Sequence, residues 1–300
     1  MYPLRNKRYA ESILVVNDIP GAGRVAGSIN LPVVAAAQLE AAILPTLILS
    51  SHAGEQGNMV RYSMKEAYQQ MLSHWEEVGY HFDAILTGYF ADVQQIDNLS
   101  SYYLREKVHN PSIKLIMDPI MGDHGKFYKG FDKEVALHLR ELIQHADIVM
   151  PNLTEACLIL NQEYKENFKM EEIAEIAQNI LSLGAETVII TGARDHNGLE
   201  ENRIGFYYAC QNGEKGTILH RHFDGYVFGT GDTVISLVAG NFLAGESIKQ
   251  SVEYTSQIVE ELIPYSIKKN NYQVGPIHFE PFLAIMAEYF INLRQSNCDG

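Results

Sequence analysis

The chain has 300 residues, 46% of them hydrophobic, and its 37 acidic against 23 basic residues give a net charge of −14. At roughly 150 residues per domain such a length allows one domain or two; with no composition break, linker or internal repeat, a single domain over residues 1–300 is expected. The acidic balance argues against nonspecific binding to nucleic acid or anionic membrane, which depends on basic patches. It leaves room for an anion held locally by backbone N–H groups and a metal ion.

Residues 1–12 are charged and polar, so no secretory signal is expected, and no apolar run reaches the about 18 residues of a membrane span. A cytoplasmic location follows as an expectation. The first strand is predicted at Ile13–Val16. It runs into NDIPGAGRVAG, residues 17–27, whose Gly21-x-Gly23-x-x-Ala26 formally fits a dinucleotide-binding fingerprint. In that fold the first glycine comes almost directly off the strand, and an acidic residue closes the second strand roughly 20 residues later. Here residues 17–20 intervene, and the second strand, Pro45–Leu49, ends in Ser50-Ser51-His52. The fingerprint fails on context.

Further along, strands are predicted at Ala84–Leu86, Lys114–Met117, Ile148–Met150 and Thr187–Ile190. Helical spacing or composition covers 30–44, 63–78, 92–107, 132–145 and 170–183. This alternation implies βαβ units and a mostly parallel sheet covered by helices on both faces. Residues 203–209 and 217–223 then alternate like paired strands around Asn212-Gly213, a hairpin signal. Helices are expected at about 231–244 and 246–263, and another near 280–293. The three cysteines, Cys157, Cys210 and Cys298, have neither disulfide-framework nor zinc-ligand spacing.

Strand after strand ends in polar or glycine-rich residues: NDIPGAG, SSHAGEQG, TGYF, DPIMGD, PNLTE and TGARD. Open α/β sheets bind ligands at that edge. His52 ends a strand there among small residues, with no second His or Cys beside it for a transition metal. Asp118 and Asp123 flank a Pro/Gly turn, an arrangement that suits either a hydrated Mg²⁺ or an ordinary turn. Residues 119–131 carry Gly122, Gly125, Gly130, Lys126 and Lys129, as a mobile flap over phosphate or a solvated loop would. Asn152 and Glu155 have the offset of a helix cap and its partner, and equally of two groups facing a metal-bound nucleotide. Gly229-Thr230-Gly231-Asp232 precedes Val234, Ile235, Val238 and Phe242 at helical spacing. Unpaired N–H groups at that helix start could form an anion hole, with Asp232 beside it as a proton acceptor; a plain helix cap is the alternative.

In this order the motifs resemble the ribokinase-like superfamily, and within it the vitamin B6 kinases, nearest the bacterial pyridoxamine kinase branch with its Asp-containing first loop. The likeness covers about residues 12–265 and leaves the tail, 270–300, without a matching motif. It implies an α/β fold of ribokinase-like architecture and transfer of the γ-phosphoryl of ATP to the 5′-hydroxymethyl of pyridoxal, pyridoxamine or pyridoxine. By the same resemblance Asp232 is the base, and Gly229, Thr230 and Gly231 form the anion hole. Asp118, Asp123, Tyr128, Asn152, Glu155, Thr191 and Thr230 serve Mg·ATP, with Asp118 and Glu155 nearest the metal. Asp18, Gly23, His52, Gly88, Tyr89 and Asp232 line the vitamer pocket. ATP and Mg²⁺, with room for a monovalent cation, and a homodimer are further implications. Ala53 stands where many relatives have threonine, and His124 with its neighbours departs from the usual flap. A hydroxymethylpyrimidine kinase is the nearest alternative, although such relatives often have GTGC where this chain has GTGD; a non-catalytic vitamer-binding protein is another.

Overall fold

The computed structural model describes residues 11–52, 58–194 and 202–298. Ala53, and Asp195 at the end of the TGARD stretch, lie outside them. The first half runs β1 (Ser12–Pro20), α1 (Gly27–Ala36), β2 (Glu40–Leu49), β3 (Arg61–Ser63), α2 (Lys65–Val78), β4 (Ala84–Thr87), α3 (Val93–His109) and β5 (Lys114–Met117). A short hairpin, β6 (Gly122–Asp123) and β7 (Lys126–Phe127), leads to α4 (Lys133–Ile143), β8 (Ile148–Val149), α5 (Leu153–Leu160) and α6 (Met170–Leu181). Then come β9 (Thr187–Ala193), β10 (Arg203–Cys210), β11 (Lys215–Arg221), β12 (Val227–Phe228), α7 (Thr230–Leu243) and α8 (Ile248–Lys269). The tail holds β13 (Gly275–Pro276) and α9 (Leu283–Cys298).

Among the described residues the main sheet has nine strands in the order β11-β10-β9-β8-β5-β4-β1-β2-β3. Its six central strands are parallel, and antiparallel β3 flanks one side, β10 and β11 the other. The parallel strands are apolar on both faces because helices cover both. In β1, Leu14 and Val16 join the core under α2 to α6, while Ile13 and Val15 join the core under α1, α7, α8 and α9. That two-sided burial is what makes these strands readable as short apolar runs.

Three local outcomes differ from the sequence reading. The helix predicted over 30–44 ends at Ala36. Gln38 takes a left-handed turn (φ 62°), and β2 starts at Glu40 to pair with β1 from Ser12↔Glu40 to Pro20↔Leu49. Ala-rich sequence favours helix locally, but a long parallel ladder in the sheet centre outweighs a propensity of a few tenths of a kcal/mol per residue. The segment 119–131 is an anchored hairpin: His124 and Gly125 both have positive φ (50° and 73°), as a tight two-residue turn between strands requires. The Gly125 N–H donates to Thr154 Oγ1 (3.0 Å) and the Tyr128 N–H to the Met121 carbonyl (2.9 Å). The third difference is α5, absent from the predicted helices, where the sequence offered only the alternatives of a cap at Asn152 or a nucleotide-facing pair with Glu155.

The tail is integrated into the second core. Met286 and Phe290 of α9 are fully buried there, and the Tyr289 hydroxyl donates to Asn241 Oδ1 of α7 (2.8 Å). Before α9, β13 pairs in parallel with β12, Val227↔Gly275 and Phe228↔Pro276, directly ahead of the glycine turn that opens α7. Ile277 continues the contact by donating its N–H to the Phe228 carbonyl (3.0 Å). The tail thus clamps the strand that delivers residues 229–232.

Candidate active site

The C-terminal ends of β1, β4, β5 and β8 and the N-terminus of α7 converge on Asp232. Gly229 is the N-cap of α7 with φ 88°, a left-handed conformation that glycine adopts without strain. A side chain there would collide with the Arg24 carbonyl and Ile29, so the turn lies against the loop after β1. Thr230 Oγ1 is turned inward, donating to the Val227 carbonyl (2.9 Å). Gly231 has open space above it, and a Cβ at that position would stand 3.8 Å from Asp118 Oδ2. Between Gly231 and Asp118 there is therefore room for an atom of a ligand, beside the N–H groups of the first turn of α7.

Asp232 sits in that first turn, half-buried. Its Oδ2 accepts from the Ala26 N–H (2.8 Å) and its Oδ1 from Asn17 Nδ2 (3.3 Å). Burial pushes its carboxyl up to about 6, against the opposing pull of these two donors. Ala26 is the N-cap of α1, so a carboxylate of the protein itself occupies the place where a dinucleotide phosphate would sit. This corrects one part of the argument against the dinucleotide fingerprint: β1 runs through Pro20, so Gly21 does come directly off the strand. The site is nonetheless filled by Asp232, and β2 ends without an acid.

Asn17, which the sequence reading passed over, organises this corner. It is 1% exposed. Its Nδ2 also donates to Asn30 Oδ1 (2.9 Å), and its Oδ1 accepts from the N–H groups of Asp18 and Tyr89 (both 2.9 Å). Asn30 in turn donates to the Asp232 carbonyl (3.1 Å) and to Ser236 Oγ (3.0 Å). Gly88 lets the chain pass so close that a Cβ would sit inside the Asn17 amide. Gly88→Ala should therefore displace Asn17, destabilising the fold by about 1–3 kcal/mol through overpacking and lowering kcat with it. Thermal unfolding and steady-state rates check this; a wild-type rate would show that Asp232 does not depend on Asn17 for its position.

Asp118 follows β5. Burial and the charges of Glu155 and Asp232 push its carboxyl well above the usual range. Glu155 is 3% exposed, with Oε2 accepting from the Asn152 N–H (2.9 Å) and Oε1 from the Met121 N–H (3.2 Å). Asn152 Oδ1 accepts from the Glu155 N–H (2.9 Å), completing a capping box, and Asn152 Nδ2 donates to the Gly122 carbonyl (3.0 Å). Burial raises the Glu155 carboxyl to about 8 although these N–H groups oppose it. The cap is therefore real, and it holds Glu155 facing the other carboxylates.

Asp123 and Tyr128 lie on and just after the β6–β7 hairpin, at the rim; Asp123 Oδ1 accepts from the neighbouring His124 N–H (2.8 Å). Burial, then the charges of Glu155 and Asp123, raise the Tyr128 phenol. Thr191 bridges to Asn152 and opens a cavity of about 340 Å³. Phe206, Val227, Tyr226, Thr230 and Gly231 also line it. At its mouth Arg194 donates to His222 Nε2 (2.9 Å), and burial followed by the arginine charge lowers the His222 pKa, keeping the ring a neutral acceptor.

Outside that cavity, linked to Asp232 through Asn17 and Phe228, stand Asp18, Gly23, His52, Gly88 and Tyr89. Asp18 is 8% exposed; burial first and the Asp232 charge second push its carboxyl up to about 7, while its own backbone N–H and the Arg61 charge oppose the rise. The His52 ring stacks on Phe228 (centroids 4.3 Å, 10° between planes), and Gly23 backs onto the His52 Cβ. Tyr89 stacks on Phe131 (5.2 Å, 21°). Phe228, Phe131, Arg61, Asn17 and Asn30 are the neighbours that sequence reasoning missed. A buried asparagine at the end of an apolar strand was the one signal that could have drawn attention to Asn17; the rest meet only in the folded chain.

Among the described residues no helix is long and apolar enough to cross a membrane, and no cluster of three His, Cys, Asp or Glu side chains forms a preformed metal cage. The chain matches the phosphomethylpyrimidine kinase family over residues 31–278. It is 30% identical over 211 residues to the pyridoxal kinase PdxY of Actinobacillus succinogenes, covering 68% of this chain and 70% of that protein. The crystal structure of pyridoxal kinase from Lactobacillus plantarum superposes with a TM-score of 0.84 at 27% identity, covering 93% of this chain and 97% of that one. A proposed phosphomethylpyrimidine kinase from Bacteroides thetaiotaomicron, crystallised with pyridoxal, superposes with a TM-score of 0.80 at 28% identity, covering 86% and 88%.

Proposed function

The chain belongs to the phosphomethylpyrimidine kinase family, and from that premise we propose that it moves the γ-phosphoryl of ATP to the 5′-hydroxymethyl of a B6 vitamer. It is a phosphotransferase with an alcohol group as acceptor. The observation that carries the reading is Asp232, held by Ala26 and Asn17 between an aromatic and acidic pocket on one side and the open glycine turn on the other. In this reading the hydroxymethyl lies against Asp232, which accepts its proton as the new O–P bond forms. The N–H groups opening α7 receive the charge on the transferring phosphoryl. The cavity behind Thr191 takes the nucleotide. Positioning and electrostatics carry such a transfer almost entirely.

The donor set fits Mg²⁺. Among the described residues no hydrogen-bond donor meets the Asp118 carboxylate, which faces Glu155 and Asp232. Oxygen-rich surroundings short of positive charge suit a hard cation that keeps water and phosphate ligands. Asp118 would hold it, with Glu155 behind. A bound Mg²⁺ would neutralise charge on the phosphate oxygens. The same reading takes the active form as a homodimer, in the cytoplasm, with residues 1–300 as one catalytic domain.

The test is ATP consumption with Mg²⁺ against pyridoxal, pyridoxamine, pyridoxine, hydroxymethylpyrimidine and ribose. Turnover is expected with at least one B6 vitamer. Turnover of only the pyrimidine or the sugar would overturn the substrate and leave the phosphotransfer chemistry; tight vitamer binding without any turnover would mark a binding protein.

A further inference from the structure

Asp18 and Arg61 are opposite charges at one rim of the pocket that act on each other without joining in an ion pair. The register explains the approach. Arg61 opens β3 in line with Leu49 of β2, and Leu49 is in line with Pro20, two residues past Asp18. The same arginine charge also reaches the Tyr89 phenol, where it opposes the rise that burial causes. Tyr89 is itself anchored, its ring on Phe131 and its N–H on Asn17. The pocket therefore presents an acceptor and a charged donor on separate elements, next to Asp232.

The ring of a B6 vitamer is a 3-hydroxypyridine. Near neutral pH such a ring exists largely as a zwitterion, with the proton on nitrogen and negative charge on the 3-oxygen. An aminopyrimidine with a hydroxymethyl group has no such oxyanion. We infer that Arg61 is a specificity-determining residue that donates to the anionic 3-oxygen of the substrate, while Asp18 accepts from the protonated ring nitrogen. The inference rests on the B6 reading above. Arginine suits the role because its charge is permanent and its planar fork of donors matches an oxyanion. A site built to meet an oxyanion also rejects analogues that lack it, since its donor is then left unmatched. Arg61 is exposed, so replacing it leaves the core intact.

The experiment measures binding of pyridoxine and of 3-deoxypyridoxine, without ATP, to the unaltered protein and to the Arg61→Met and Arg61→Lys variants. The near-UV band of the zwitterion reports the ionic form of the bound pyridoxine. Loss of one charged hydrogen bond should weaken pyridoxine binding about 10–100-fold in Arg61→Met. The deoxy analogue should bind that variant as it binds the unaltered protein, the zwitterion band should diminish, and Arg61→Lys should recover part of the loss. Equal weakening of both ligands, or of neither, overturns the role of Arg61. Binding is read apart from turnover, so the two readings fail separately. The expected binding pattern with no phosphorylation of any vitamer would overturn the kinase and leave Arg61 in place. Phosphorylation whose dependence on the 3-oxygen survives Arg61→Met would do the reverse.

Discussion

Asp232→Asn should leave the protein folded and lower kcat by about 10²–10⁴-fold, the usual contribution of a positioned general base. The substitution keeps the shape and the shorter hydrogen bond: an asparagine Oδ1 can still accept from Ala26 (2.8 Å), and only the longer contact from Asn17 Nδ2 (3.3 Å) is lost, because an amide nitrogen does not accept. What disappears is the capacity to take a proton. KM for both substrates should therefore move far less than kcat, which separates loss of a base from loss of the pocket. The pH profile adds an independent check. The base must be ionised, and burial holds the Asp232 carboxyl at about 6, so kcat/KM of the unaltered enzyme should fall as pH drops through that value. Asp18, at about 7, adds a second loss in the same direction, because a protonated Asp18 cannot pair with a charged ring nitrogen. An Asp232→Asn enzyme of near wild-type rate would remove Asp232 from the chemistry and leave positioning alone to explain it.

The carboxylates were legible in the sequence because each follows a strand or opens a helix within a few residues of a glycine or proline. DPIMGD, PNLTE and GTGD each place an acid at the edge where parallel strands end, and the folded chain brings Asp118, Glu155 and Asp232 within electrostatic reach of one another. The strands were legible for a related reason: a strand buried on both faces must be apolar throughout, as Ile13–Val16 and Lys114–Met117 nearly are. Where the chain chose between states of similar local energy, sequence was a poor guide. Residues 40–44 are good helix formers, and only the partner strand β1 makes them β2. The β6–β7 hairpin pairs two residues with two, too few to show a period. Arg61 and Asn30 could not be picked out at all. Nothing near Arg61 in sequence is acidic enough to suggest Asp18, and Asn30 meets Asp232 across 202 residues.

The ligand-free protein should lose stability as pH rises from about 6.5 to 8.5, and the cause is the same cluster of acids. Burial holds Asp18 at about 7 and Glu155 at about 8, against 3.8 and 4.5 for the unhindered groups, and pushes Asp118 up as well. Over this window the folded chain keeps protons that the unfolded chain has already released. Stability must then fall with rising pH; the contribution is fully present below about pH 4 and is lost as pH passes through the folded values. Partial or full burial lowers the pKa of His145, His220, His222 and His278, which act in the opposite sense, gaining stability as pH rises toward the ordinary histidine value of 6.5. Above that value they are spent, so the carboxylates decide the sign. A tenfold change in proton affinity is worth about 1.4 kcal/mol, which puts the fall on the order of a few kcal/mol after allowance for hydration of the open site. Thermal unfolding at pH 6.5, 7.5 and 8.5 measures it. Asp118→Asn removes one of the mutually repelling charges and should flatten the fall. Mg·ADP should raise Tm more at pH 8.5 than at pH 6.5, because ligand and metal bind best to the deprotonated cluster. A Tm that rises across this window, or an Asp118→Asn protein with an unchanged slope, would show that Asp118 and Glu155 do not share one field.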